Sequence, residues 1–253
     1  LALDARSRLA YSGAKSAEKG TPYMTLSAIL RIDKILLGIV AAVLLLSVGI
    51  YFYSTDYFSL TYAREDGLVE YGTALFLCVA SVVLVMNARS LKARGAGLAF
   101  ACTLFYALLF FFAAGEEISW GQRIIGWETG ETFEEMNKQQ ETNLHNLIVP
   151  TPWGDFHLAK TLFGPILTLI VLVYITVLPL LYSRVSWIKR AANHIAAPVP
   201  GTRHAMLAVA ASLVIAVIDV PRKWEVYELV FSLLATSIFL LPQNSKHTTF
   251  LEA

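Results

Sequence analysis

A chain of 253 residues in which 56% are hydrophobic, 15% are charged and the mean hydropathy is +0.58 is too apolar for a soluble domain and has the composition of a polytopic membrane protein. A formal net charge of +1 argues against nucleic acid as a partner, and Cys78 and Cys102, both inside apolar runs, exclude a disulfide framework or a paired-thiolate metal site. Membrane lipids and a membrane-protein partner are the partners this composition admits.

In chain order, residues 1–30 read as a polar cytoplasmic lead-in, partly mobile and without the apolar core of a signal peptide. Apolar runs near 35–53, 68–87, 96–114 and 161–182 each suffice to cross roughly 30 Å of hydrocarbon, which takes about 20 helical residues. Two shorter runs, near 204–220 and 226–241, complete an expected all-α bundle of six transmembrane helices in one membrane domain, 31–241, followed by a tail at 242–253. Pro165 and Pro179 predict a kink or an end in the fourth helix.

Lys and Arg concentrate in the lead-in, in the second-to-third connection (Arg89, Lys92, Arg94) and in the fourth-to-fifth (Arg184, Lys189, Arg190, Arg203), whereas most acids alternate to the other side. Basic residues accumulate on the cytoplasmic face. Both termini are therefore expected inside, and the long connection 115–157, between the third and fourth helices, is expected to face outward.

Acids then mark one boundary. Asp66 and Glu70 open the second helix, Glu116 and Glu117 close the third, Asp219 closes the fifth, and Glu225 and Glu228 open the sixth. Ionisable groups at a membrane helix end are costly, so their convergence points to a site. If the third helix runs on past Gly115, Glu116, Ser119, Trp120 and Arg123 share a face, and Trp120 and Trp127 suit the headgroup level. Beyond them, Thr132 and Glu135 fit a capping box opening a short acidic helix, and Asn137, Gln139, Gln140, Asn143 and Asn146 make the connection amide-rich. The apolar stretch LIVPTPWGDF is too short to cross and is expected to lie along the membrane or dip into it.

A carboxylate beside an imidazole can act as base and acid, or hold a metal that activates water. The catalytic candidates are Glu116 or Glu117 as base, His145 as acid or metal ligand, and Arg123 to hold an anionic head. Asn143, Asn146, Gln122, Trp120, Glu70 and Glu228 are the substrate-binding candidates. No cofactor is fixed; if a divalent metal is used, its candidate ligands are Glu117, His145 and His157, although no HExxH, HxxxH or GxSxG motif is present. The competing reading of the same groups is a structural ion-pair network at a helix end.

The block GEEISWGQR with ETNLHN, flanked by EDGLVEY and EVYE, resembles a pattern in uncharacterised bacterial polytopic membrane proteins over most of residues 60–235. The resemblance implies a bacterial inner membrane and carries no established activity. The paired glutamates are analogous to the EExxxR helix of CAAX-type intramembrane glutamate proteases, but Arg123 follows Glu117 by six positions, and the FxxxH and HxxxN patterns are absent. The paired-His helix of alkaline ceramidases is absent too. Three function classes stand: an interfacial hydrolase or transferase on a lipid, lipid-linked or peptide substrate; a non-catalytic subunit docking through its acidic outer loop; and an ion-coupled transporter, which the placement of the acids away from the midplane disfavours.

Overall fold

The computed structural model describes residues 24–250. The lead-in before Met24, and residues 251–253 of the tail, lie outside the described residues. Helix accounts for 74% of the described residues and strand for 4%, so the expected all-α class holds. α1 is Leu26–Tyr53, α2 is Leu68–Ala93 and α3 is Gly97–Glu117. The 115–157 connection carries a short α4, Glu131–Met136, and a hairpin of β1, Ile148–Thr151, and β2, Gly154–His157. Then come α5, Ala159–Arg184, α6, Ser186–His194, α7, Thr202–Val217, and α8, Lys223–Leu240. Of these, α1, α2, α3 and α5 are long and apolar enough to cross a membrane.

Buried residues along α1 (Ile29, Asp33, Leu36, Val40, Leu44, Ser47) recur every three or four positions, the spacing that returns a helix to one face. Thr25 caps its start, its Oγ1 accepting the Ala28 N–H at 3.3 Å. The helix therefore begins nine residues before the apolar run read from sequence, and residues 26–30 belong to it rather than to the lead-in. Hydropathy missed this first stretch because Arg31 and Lys34 point outward, while Asp33 faces the seam.

α8 is the central helix, packed against α1, α2 and α7, with nearly every side chain from Val226 to Leu240 buried. Its surroundings are protein rather than lipid, so it tolerates hydroxyls whose partners are at hand. Ser232 Oγ donates to the Leu229 carbonyl at 2.8 Å, and Thr236 Oγ1 donates to the Phe76 carbonyl of α2 at 3.0 Å. Gly72 lets α2 approach, since a Cβ there would lie 3.1 Å from Leu229 Cδ1. α3 returns antiparallel to α2 across a turn at Gly95 (φ +73°), and Ser81 Oγ bonds the Ala107 carbonyl at 2.7 Å where small residues let the two helices close. α5 is peripheral, with 11% of its apolar window buried. It starts as a wide π turn around Pro165 and is interrupted just before Pro179, so both prolines act where the sequence places them.

The far ends of α1, α7 and α8 are pinned by one buried network. Asp33 pairs with Arg203 (Nε to Oδ2, 3.2 Å) and accepts from Ser237 Oγ at 2.5 Å, and Ser237 Oγ lies 2.9 Å from His204 Nε2. Asp, His and Ser are the residue types of a hydrolytic triad, but the roles are reversed. The Gly201 N–H donates to His204 Nδ1 at 2.8 Å, so the neutral ring carries its proton on Nε2 and donates toward Ser237. A base needs a lone pair there; this group ties helices together.

One expectation for the 115–157 connection is corrected. The Thr132–Glu135 capping box does not form, because α4 is capped by Gly130, with Glu131 already in its first turn. The stretch LIVPTPWGDF, too short to cross a membrane, folds as the β1–β2 hairpin, pairing Ile148 with His157 and Thr151 with Gly154. Gly154 (φ +116°) makes that turn possible, and Trp153 at its tip is 94% exposed.

Candidate functional site

The site is built on an abrupt reversal at the end of α3. Ser119 (φ 47°), Trp120 (φ 56°) and Gly121 (φ 80°) are successive left-handed residues, so the helix cannot continue and the expected single face from Glu116 to Arg123 does not exist. Left-handed backbone costs about 1–2 kcal/mol at each non-glycine residue, so other contacts must hold it. Two are at the turn itself. The Trp120 indole folds back over Gly115, and its Nε1–H donates to Glu116 Oε1 at 2.8 Å. A Cβ on Gly115 would stand 2.8–2.9 Å from three ring atoms. Gly115→Ala is therefore expected to displace the indole and lower stability by about 1–3 kcal/mol. Thermal unfolding in detergent followed by tryptophan fluorescence checks this, and an unchanged midpoint would remove the contact from the account.

Around this turn the motif residues lock onto one another. Glu116, 6% exposed, accepts the backbone N–H groups of Leu144 (2.6 Å) and His145 (3.1 Å) on its second oxygen. Glu141 Oε2 accepts from Ser119 Oγ at 2.5 Å and from Asn143 Nδ2 at 2.7 Å. Asn137 Nδ2 donates to both the carbonyl and the side-chain oxygen of Asn143 at 2.8 Å. Asn146 Nδ2 reaches Gln139 Oε1 at 2.5 Å, and Gln139 in turn bonds Glu65 before α2. Gln122 uses both ends of its amide, accepting the Thr142 N–H at 2.7 Å and donating to Thr129. Arg123 bridges Asp66 and Glu141. The blocks GEEISWGQR and ETNLHN are thus two halves of one hydrogen-bonded lock that fixes the roof to α2 and α3.

Glu117 points elsewhere. Neighbours on a helix differ by about 100°, and this splits the pair, Glu116 into the lock and Glu117 toward α8. Carboxylate oxygens of Glu117, Glu225 and Glu228 all lie within 4.8 Å of one another. Glu70, whose Oε2 holds the Asp66 N–H at 2.8 Å, is near enough to act on Glu117 and Glu228 through space. Positive charge reaches only the edge of the group: Arg222 contacts Glu225 at 3.3 Å but is shared with Glu65 at 2.6 Å, and Lys223 turns away to the Ile218 carbonyl. Among the described residues this is the one set of three or more metal-ligating side chains that converges.

The expected site residues are therefore divided. Glu116, Trp120, Gln122, Arg123, Asn143 and Asn146 lie in the lock, whereas Glu117, Glu70 and Glu228 line the carboxylate cleft. His145 and His157, expected beside Glu117 as metal ligands, are not in the converging set. The His145 ring packs edge-on to Phe163, and burial lowers its pKa despite the nearby charges of Glu116 and Glu141. His157 sits in the hairpin opposite Ile148. Sequence reasoning counted Glu225 among the converging acids without naming it a ligand, and passed over Glu141, whose signal was its place in a run rich in amides. Comparison of the chain with protein-family models, with curated proteins and with solved structures finds no match.

Proposed function

We propose that this is a six-pass protein of a bacterial inner membrane, with both termini cytoplasmic, whose outward end holds a divalent cation between Glu117, Glu225 and Glu228. The cation serves hydrolysis or group transfer on a lipid or lipid-linked substrate at the interface. One observation carries the reading: three carboxylates from two helices brought within 4.8 Å with a single, shared arginine at the edge. Such a group repels itself unless it takes up protons or a cation, and all-oxygen donors suit Mg²⁺, Mn²⁺ or Ca²⁺. Glu117, Glu225 and Glu228 would hold the cation, which would supply Lewis-acid activation of a phosphoryl or acyl oxygen and of water, and Glu70 would be the neighbouring carboxyl group available as a proton acceptor. The lock makes Glu116 and Arg123 positioning residues in this scheme.

Mn²⁺ binding to the purified protein, read by electron paramagnetic resonance, tests it. Glu228→Gln is expected to weaken binding by on the order of tenfold to a hundredfold. If the native protein holds Mn²⁺ no better than this variant, the centre is a proton-sharing cluster and the catalytic reading falls.

A second reading has its own support. Glu128, Glu131, Glu134 and Glu135 are all exposed on and beside α4 and outside the lock, a surface suited to docking a basic partner. In that case, charge reversal at these four positions abolishes co-purification with the partner and leaves Mn²⁺ binding intact.

A further inference from the structure

Away from the acidic end, α2 and α3 enclose a recess of about 440 Å³ on their outer surface. Its floor is made of the small residues Ser81 and Ala107, which draw the two helices together through the Ser81 Oγ bond to the Ala107 carbonyl at 2.7 Å. Larger apolar side chains, Val82, Val85 and Leu108 among them, stand up on either side, and Phe111 closes one end. Arg89 closes the other. From Ser81 to Arg89, eight positions on, the helix rises about 12 Å, enough for a large part of one acyl chain.

Arg89 is what sets this recess apart from an ordinary lipid-facing surface. It is exposed, and no described residue forms an ion pair or hydrogen bond with it. The other basic side chains at this end of the hairpin are engaged, Arg94 with the carbonyls of Lys246 and Thr249, and Lys92 over the Phe100 ring. A guanidinium at the mouth of an apolar slot, with no acid to neutralise it, complements a molecule with an anionic phosphate head and a hydrocarbon tail.

We infer that the α2–α3 recess binds one anionic phospholipid, its tail on Ser81 and Ala107 and its phosphate on Arg89. The site is separate from the carboxylate cleft. It depends on the membrane setting and not on the cation, so failure of one reading leaves the other standing.

The full chain in neutral detergent, supplied with phosphatidylglycerol or phosphatidylcholine and weighed by native mass spectrometry, gives the test. The native protein is expected to retain one phosphatidylglycerol with about a fivefold preference over phosphatidylcholine, the worth of one basic side chain at an anionic surface. Arg89→Gln is expected to erase the preference. Val82→Trp fills the slot from a wall residue that is 58% exposed, so folding is spared, and removes retention of both lipids. Equal retention of the two lipids by the native protein, or undiminished preference in Arg89→Gln, overturns the assignment. So does a lipid-free dimer lost in Val82→Trp, which gives the recess to a second copy of the chain.

Discussion

Glu116→Ala is expected to release the outer segment, and Glu117→Gln, one residue on, to leave it in place. Glu116 is buried and accepts three donors: the Trp120 indole at 2.8 Å and the backbone N–H groups of Leu144 at 2.6 Å and His145 at 3.1 Å. Hydrogen bonds to a charged acceptor contribute about 1.5–3 kcal/mol each, and stranding their donors adds desolvation, so the loss is about 3–6 kcal/mol after allowing for non-additivity. It falls on a turn with two non-glycine left-handed residues, Ser119 and Trp120, the second of which Glu116 holds directly. Limited proteolysis should then cut Glu116→Ala within 118–158 while the helices stay intact. Glu117→Gln removes one ionisable group from three crowded carboxyls and should resist protease as well as or better than the native protein. Equal protease sensitivity of the two variants would show that the glutamates share one role.

Arg123→Met is the second large effect, and it arises mainly from one of the arginine's two partners. The Asp66 pair is near the surface, with side chains 37% and 34% exposed, and such pairs contribute about 0–1 kcal/mol. The Glu141 side chain is 9% exposed, and losing its counter-charge leaves an anion held only by the Ser119 hydroxyl and the Asn143 amide. The expected cost is about 2–4 kcal/mol, less than for a fully buried pair because the guanidinium is itself partly in water. Adding Glu141→Gln should restore part of the loss, since no orphaned charge remains. Unfolding midpoints for the two single variants and the double variant decide it; strict additivity would mean that the pair is not coupled.

Hydropathy and charge made most of this architecture legible. Helices occupy every apolar run, and Pro165 and Pro179 disturb α5 as expected. What escaped detection has physical causes. The start of α1 was hidden because Asp33 is charged yet paired with Arg203 across a sequence separation that no local pattern reports. α8 reads as weakly apolar because protein, not lipid, surrounds it. At the site, sequence showed that acids converge but not which ones meet. Separating Glu116 from Glu117 required the left-handed run after Ile118, and two of those three residues, Ser119 and Trp120, are not types that announce positive φ. The histidines drew attention as the familiar metal ligands, whereas the residues that cluster are glutamates separated by more than a hundred positions.

The position of α8 also sets an order of assembly. It follows α1, α2, α3, α5 and α7 in chain order, yet α1, α2 and α7 all bury their faces against it, and the Asp33–Ser237 bond spans 204 residues. Until it arrives, the seam of α1 is open, Asp33 lacks Ser237, and Glu117 lacks Glu225 and Glu228. Until then the earlier helices are a loosely associated set, and the interior closes in a late step when α7 and α8 pack against them.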